Sequence, residues 1–328
     1  LPILILPQCT QASLLTGPSK QEVLVAVIDT GVDIHHQALK GHLWINRKEI
    51  PNNGIDDDGN GYIDDVKGYD VSDSDNIADP PANANINDFT HGTHVAGTIG
   101  ALDNGFGVVG VAPGARIWAV KVLSSSGSGY SSQIIAGIDW VTAHASTIEV
   151  ANMSLGGTGF SQAEYDAIQG AVNAGVAFAV AAGNSDADAL DYSPGGFDNV
   201  LSVSALADFN GEPGGGAPST CRVDQDDTLA DFSNWGTQID ISAPGVCILS
   251  TYPIEQGNYG TISGTSMASP HAAGALALLA SRNNPNNASD VYTLYDTIRQ
   301  TGNYNWTDDS GDGIQEPTLD LSRTDIFN

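Results

Sequence analysis

The stretch Val23–Asp33, VLVAVIDTGVD, decides the fold class of this chain. It begins with a continuous apolar run, which is typical of a parallel strand buried on both faces. A polar turn with a glycine follows at once, so Asp29 lies where the strand ends. In open α/β sheets, functional sites collect at the carboxyl ends of the strands. The stretch therefore predicts a buried strand and a candidate functional aspartate.

Similar apolar runs recur along the chain and alternate with segments of helical spacing. This alternation predicts an α/β fold: one domain, 1–328, with a doubly wound, mostly parallel central sheet and helices on both faces. Residues 51–87 are polar and rich in aspartate and predict an inserted surface loop, while residues 301–328 predict a polar C-terminal extension. The other strand candidates are ARIWAVKVL, VANMSL, VAFAVAAGN and VLSVSAL, and the helix candidates include SSQIIAGIDWVTAHA and SQAEYDAIQGAVNAG.

The composition excludes some partners. The 39 acidic and 11 basic residues give a net charge of -28, which repels nucleic acid and anionic membrane surfaces. No apolar run approaches the ~20 residues that span a bilayer. Of the three cysteines, Cys221 and Cys247 bracket a short segment and are the expected disulfide, with Cys9 left over. Because the chain begins without Met, we expect that an upstream segment was removed, and an exported protein fits best.

Three segments place a reactive side chain where a strand ends or a helix begins: Asp29 in VIDTGVD, His91 in HGTHVAGTIGA and Ser266 in SGTSMASPHAAG. Nucleophilic acyl transfer needs a hydroxyl, a neutral imidazole to take its proton and a carboxylate to hold that imidazole. Taken singly, each residue has a structural explanation, since Asp29 and Ser266 suit caps and His91 suits a helix start. Taken together, they predict a catalytic triad.

With these motifs, the sequence closely resembles the subtilisin-like serine proteases, the subtilases, from about Val23 to about Ser281. The order Asp, His, Ser is the one known for subtilisin. The resemblance implies an endopeptidase in which Asp29 orients His91, His91 takes the proton of Ser266, and Ser266 attacks the peptide carbonyl. It also implies that Asn184, in AVAAGNSD, stabilises the oxyanion together with the Ser266 amide.

The resemblance extends to the substrate-binding segments. KVLSSSGSG and NMSLGG resemble the two edge segments between which subtilases hold an extended peptide. Small residues in AAG imply a pocket with room for a large apolar or aromatic side chain, and hence broad specificity. Asp191 either lies near that pocket and favours basic side chains or is an exposed turn residue. The candidate substrate-binding residues are Gly127, Ser128, Gly129, Ser154, Leu155, Gly156, Ala181, Ala182 and Gly183.

GIDDDGNGYIDD has the spacing of a calcium loop. At the twelfth position Lys67 replaces the expected bidentate glutamate, so Asp65 or a distant carboxylate must complete the shell. The alternative is a solvated acidic turn. The remaining predicted ligands are Asp56, Asp58, Asn60, the Tyr62 carbonyl and Asp64.

Two further loops are calcium candidates, and such ions would be structural. DDSGDGIQE repeats the spacing around Gly313. ALDNGFGVVGVAP resembles the loop of the family's tight calcium site, but the aspartate expected in HHQAL is Ala38, which puts that site in doubt. The candidate ligands are Asp308, Ser310, Asp312, Ile314 and Glu316 in the first loop, and Leu102, Asn104, Phe106 and Val108 in the second.

The leading hypothesis is a secreted, monomeric, calcium-stabilised serine endopeptidase that acts on proteins and is made with a cleaved pro-segment. One alternative is a narrow-specificity processing protease of the same fold that prefers basic side chains. The other is a catalytically silent peptide-binding protein. Because Asp29, His91, Ser266 and Asn184 are all present, the silent alternative is disfavoured.

Overall fold

A computed structural model describes residues 22–71, 89–124 and 126–327. At its centre is an eight-stranded sheet with seven strands paired in parallel and one antiparallel strand at its side. Two small two-stranded sheets flank it. The strands are β1 Leu24–Asp29, β2 Gly68–Asp70, β3 Arg116–Lys121, β4 Val150–Met153, β5 Gly157–Thr158, β6 Ala177–Ala181, β7 Tyr192–Ser193, β8 Leu201–Ala207, β9 Thr228–Leu229, β10 Ile241–Pro244, β11 Ile248–Thr251 and β12 Tyr259–Ile262.

The order of the parallel strands is β10, β8, β6, β4, β1, β3, β2. β1 pairs with β3 on one side and with β4 on the other, so that Val25 lies opposite both Ile117 and Val150. The chain therefore changes the direction in which it adds strands between β1 and β4. Such a switch point opens a crevice at the carboxyl ends of the two strands.

In the described part of the chain, six α-helices surround the sheet, and they confirm the predicted doubly wound α/β fold. α1 packs against α4, whereas α2 packs against α3. α4 is almost entirely buried, which explains its lack of a polar face. The helices are α1 Thr90–Gly100, α2 Ser131–Ala143, α3 Gln162–Asn173, α4 Thr265–Ala280, α5 Ala288–Thr301 and α6 Thr324–Phe327, with 3-10 turns at Ala189–Asp191 and Ile254–Gln256.

The C-terminal extension is more closely integrated than its polar sequence indicates. Thr318 forms bridges with Ser242 of β10 and with Asn303, so the extension lies along the edge of the sheet. Trp306 and Phe327 are buried. Composition alone did not reveal this packing because a few apolar anchors are dispersed among polar residues.

Cys221 and Cys247 form the expected disulfide, with their Cα atoms 5.8 Å apart. Cys9 and residues 72–87 of the acidic insertion lie outside the described residues. Within the described ranges, no helix has the length and apolar character needed to cross a membrane.

Candidate active site

Asp29 ends β1 at the switch point and is completely buried. Its Oδ1 accepts a hydrogen bond from the amide of Thr30 at 2.7 Å. A buried carboxylate requires such donors or an opposite charge to remain ionised. The turn after β1 therefore fixes one carboxylate at the crevice.

His91 lies in the first turn of α1 and faces Asp29. Its Nδ1 is 2.8 Å from Asp29 Oδ1 and 2.9 Å from Oδ2. The close approach depends on Gly92, because a Cβ there would lie 2.1 Å from the Gly31 carbonyl oxygen. The sequence therefore places a glycine where α1 must meet the turn after β1.

The charge state of His91 depends on this contact. Burial by itself lowers the pKa of His91, but the charge of Asp29 and its hydrogen bond outweigh burial and raise the pKa above 6.5. The carboxylate can only accept, so Nδ1 carries the hydrogen. The side chain remains 33% exposed, which leaves Nε2 for a substrate or a nucleophile.

Ser266 lies in the first turn of α4 and is half-buried. Its hydroxyl donates to the carbonyl oxygen of Ser154, just beyond β4, at 3.2 Å. Catalytic hydrogen bonds are often long or misaligned without substrate. In this structure the Ser266 hydroxyl is directed at Ser154.

Asn184 follows β6 and is exposed. Its Oδ1 accepts from the amide and the hydroxyl of Thr265, at 2.8 and 3.0 Å. With Oδ1 occupied, Nδ2 is the atom of this side chain available to donate. The Ser266 amide is among the first-turn donors that have no partner inside the helix. The two donors flank the start of α4.

The predicted substrate-binding residues differ in their burial. Residues 127–129 are exposed, Ser154 and Leu155 are buried, and Gly156 is exposed. β5 pairs with β7 behind the second segment, and a Cβ at Gly156 would lie 2.9 Å from the Ser193 carbonyl oxygen. Ala181 and Ala182 are buried at the end of β6.

Sequence reasoning missed Asn234, which holds the segment that follows β6. It is completely buried, its Nδ2 donates to the Ala182 carbonyl oxygen at 2.9 Å, and its Oδ1 accepts from the Ser185 amide at 2.9 Å. Nothing in its local sequence distinguishes it from a loop asparagine. Asp191 is exposed, which agrees with its interpretation as a turn residue.

The first acidic loop brings together Asp56 and Asp58 with a residue that was not predicted, Glu49. One carboxylate oxygen of each lies within 4.8 Å of the others. Glu49 also accepts from the amides of Asp57, Asp58 and Asp64. Glu49 is therefore a candidate for the distant carboxylate that the loop spacing predicts.

The other predicted ligands of this loop have different partners. Asp64 accepts from the amides of Asn53 and Gly54. Asp65 is completely buried and binds four side chains. Asn60 Oδ1 accepts from the Tyr62 amide at 2.7 Å. The partners of Asp65 are Asn46, Asn60, Trp140 and His144.

In the C-terminal loop, Asp308 accepts from the Ser310 amide, and Asp312 accepts from the Ser310 hydroxyl and the Ile314 amide. Asp312 Oδ2 is buried and has no partner among the described residues, as a cation ligand would be. Glu316 instead accepts a hydrogen bond from the Ser204 hydroxyl.

The loop of Leu102 to Val108 fits a cation less well. The Leu102 carbonyl accepts from the Asn104 amide, and Asn104 Oδ1 accepts from the Phe106 amide. Ala38 is buried beside this loop and offers no side-chain oxygen.

A parallel α/β sheet carries a buried aspartate that contacts a histidine at the start of α1, and a serine lies at the start of α4, which packs against α1. These features define the class of subtilisin-like serine proteases. The chain belongs to the subtilase family, whose model matches residues 20–317. It is accordingly a serine endopeptidase.

Relatives in this family cover most of the chain. Alkaline serine exoprotease A of Vibrio alginolyticus is 41% identical over 281 residues, which are 85% of this chain but only 42% of that protein. Subtilisin DY of Bacillus licheniformis is 37% identical over 278 residues, or 84% of this chain and 82% of that protein. A crystal structure of a cold adapted subtilisin-like serine proteinase superposes with a TM-score of 0.68 and 36% identity, covering 94% of this chain and 90% of that one.

Proposed function

We propose that the chain is a secreted, calcium-stabilised serine endopeptidase of broad specificity that favours large apolar or aromatic side chains before the scissile bond. The observation behind this proposal is the contact between the buried Asp29 and Nδ1 of His91 at the start of α1, together with Ser266 at the start of α4, a buried helix that packs against α1. Asp29 holds the imidazole tautomer in which Nε2 is the base.

The reaction begins when the Ser266 hydroxyl turns from Ser154 and gives its proton to His91 Nε2. Ser266 Oγ then bonds to the peptide carbonyl carbon, and Asn184 Nδ2 and the Ser266 amide donate to the oxyanion. The His91 imidazolium, stabilised by Asp29, returns the proton to the leaving amine. Water repeats the sequence on the acyl-enzyme and releases the acid.

The substrate is an extended peptide between residues 127–129 and residues 154–156, where backbone hydrogen bonds give affinity. The side chain before the scissile bond enters the pocket lined by residues 181–183, whose walls are small. Asp191 is exposed, so we do not favour the processing protease that prefers basic residues.

Calcium would be held first by Glu49, Asp56 and Asp58, since hard oxygen ligands suit this ion. A second ion would be held by the C-terminal loop, where Asp312 Oδ2 is unpartnered. When bound, calcium neutralises these carboxylates and stabilises the folded loops.

The disulfide supports export to an oxidising compartment. We also propose a cleaved pro-segment and a monomeric active form, as the family resemblance implies.

The test is hydrolysis of a chromogenic tetrapeptide with Phe before the scissile bond, in calcium buffer. We expect Ser266→Ala to lower kcat about a million-fold, the loss measured for the nucleophile of subtilisin itself. A basic analogue tests the processing protease. If the parent cleaves neither peptide but binds them, the silent binding protein replaces this proposal.

A further inference from the structure

A cavity of about 330 Å³ lies at the carboxyl ends of β8 and β10, and none of its lining residues belongs to the candidate active site. Leu206 and Pro244 contribute from the sheet, Trp306 from the C-terminal extension and His271 from α4. The volume is that of a side chain or a small organic molecule, much more than a single ion needs.

The cavity wall is strongly acidic. Asp208, Glu212, Asp227 and Asp320 line it, and no Lys or Arg of the described chain does so. Burial, together with the charges of neighbouring aspartates, raises the pKa of both Asp208 and Asp227, although backbone amides partly oppose this. Carboxylates held this close favour a bound cation.

The two aspartates retain oxygens for a ligand. Asp208 uses Oδ1 to accept from two loop amides, and Asp227 uses Oδ2 in the same way. Oxygens of Asp208, Asp226 and Asp227 lie within 4.8 Å of one another. The loop amides therefore fix Asp208 and Asp227 without occupying the second oxygen of either, whereas both oxygens of Asp226 accept hydrogen bonds.

The buried side chain of His271 is an independent indication that the cavity binds a hydrogen-bond donor. It is 1% exposed, and its Nδ1 is 2.8 Å from the Met267 carbonyl oxygen of its own helix. A carbonyl only accepts, so Nδ1 carries the hydrogen and Nε2 is an acceptor. Nε2 has no partner among the described residues. Burial lowers the pKa of His271 to about 4, so the ring is neutral and its buried Nε2 requires a hydrogen-bond donor.

The ligand must therefore combine positive charge, several N–H donors and an apolar stem. A single metal ion does not meet these needs, because His271 is not among the groups whose ligand atoms lie within 4.8 Å of the aspartates. A guanidinium has five donors in a plane and stacks on aromatic rings such as that of Trp306.

We propose that this cavity binds the guanidinium group of arginine, as the free amino acid or as a side chain of a polypeptide. The guanidinium donates to Asp208, Asp227 and His271 Nε2 while its stem packs on Trp306. This site is separate from the proposed catalytic centre, and its test does not depend on turnover.

The experiment is isothermal titration of the full chain carrying Ser266→Ala, which removes self-cleavage. The probes are N-acetyl-L-arginine amide, free L-arginine and N-acetyl-L-citrulline amide, the neutral isostere. We expect the arginine amide to bind at least about tenfold more tightly than the citrulline amide, because charge-assisted hydrogen bonds are lost. Tighter binding of free arginine than of the amide assigns the free amino acid, and tighter binding of the amide assigns a polypeptide side chain.

The test variants are Asp208→Asn and Asp227→Asn, singly and combined, which keep the acceptors for the loop amides. The control for each single change is Asp166→Asn, which removes one charge at an exposed position of α3. The cavity pair should weaken arginine binding about tenfold, and the control should leave it within about twofold. Thermal midpoints check that each variant is folded. The proposal would be overturned if the arginine amide did not bind, or if the citrulline amide bound equally well. It would also be overturned if the cavity variants abolished calcium binding but left arginine binding unchanged.

Discussion

Ser154 and Ser266 are joined by a reciprocal pair of hydrogen bonds: Ser154 Oγ donates to the Ser266 carbonyl oxygen at 2.7 Å, and Ser266 Oγ donates to the Ser154 carbonyl oxygen at 3.2 Å. Asn152 Nδ2 donates to Ser154 Oγ, and Asn152 Oδ1 accepts from the Ser269 hydroxyl. This network ties the end of β4 to the first turns of α4, so the substrate segment and the serine-bearing helix are positioned together.

Replacing Ser154 by Ala removes the first of these bonds and leaves Asn152 without an acceptor. We expect kcat to fall about tenfold, the equivalent of about 1.4 kcal/mol, while KM changes less. Ser281→Ala is the control, since Ser281 is equally buried and donates to the Leu278 carbonyl oxygen at the far end of α4. Equal losses in both variants would show a general effect of helix stability instead.

Asn184 allows a sharper separation of roles. Asn184→Asp retains the Oδ1 acceptor for Thr265 but has no Nδ2 donor, whereas Asn184→Ala lacks both. We expect both to lower kcat about 100- to 1000-fold, the loss measured for the corresponding donor of subtilisin. If Asn184→Asp kept near-parental kcat, holding Thr265 would be the function of Asn184.

The pH profile follows from the raised pKa of His91. The neutral ring is the base, so kcat/KM should fall as the pH drops through a pKa above 6.5. The Asp29→Asn variant lacks the charge that raises the pKa of His91, while burial still lowers it. The acid limb of the kcat/KM profile should therefore move to lower pH, and kcat should fall greatly. A parental profile that stays flat to pH 4 would contradict an imidazole base.

The sequence predicted the features that depend on local sequence pattern, namely the buried strands and the motifs at their ends. Buried parallel strands such as β1 have a continuous apolar run, and the residues Asp29, His91 and Ser266 lie in long motifs at strand ends and helix starts. The contact between Asp29 and His91 was therefore predictable once the parallel sheet was inferred.

The side-chain contacts between segments that are distant in sequence could not be predicted. Glu49 joins the acidic loop from outside its motif, and Asn234 reaches the pocket wall across about fifty positions of sequence. Asp65 is the reverse case: its spacing suits a cation, but Trp140 and His144 hold it in the interior. The periodic pattern of apolar residues carries no information about such long-range contacts.

The calcium proposal predicts a stability effect that depends on Glu49. In the Ser266→Ala background, EDTA should lower the thermal midpoint by about 5 °C for an ion bound at roughly a hundred times its Kd. Glu49→Gln should remove much of this difference, while Glu255→Gln, at an exposed position, should preserve it. Midpoints that do not respond to EDTA would refute structural calcium in this loop.

Glu164, in the first turn of α3, offers a test of the core by pH. It is 5% exposed, its Oε1 has no partner, and burial raises its pKa to about 7 from an ordinary 4.5. A carboxyl with a raised folded-state pKa contributes stability that is fully present below pH 4.5 and lost as the pH rises through 7. Between pH 5 and pH 8, the free energy of unfolding of the parent should therefore change more than that of the neutral Glu164→Gln variant, by up to about 3 kcal/mol.

Denaturant unfolding in the Ser266→Ala background measures this difference, and the exposed Glu255→Gln serves as control. Comparing two pH values for each variant cancels any constant cost of burying the amide. If parent and Glu164→Gln lost stability in parallel as the pH rose, the Glu164 carboxyl would not titrate in the folded state as its burial requires.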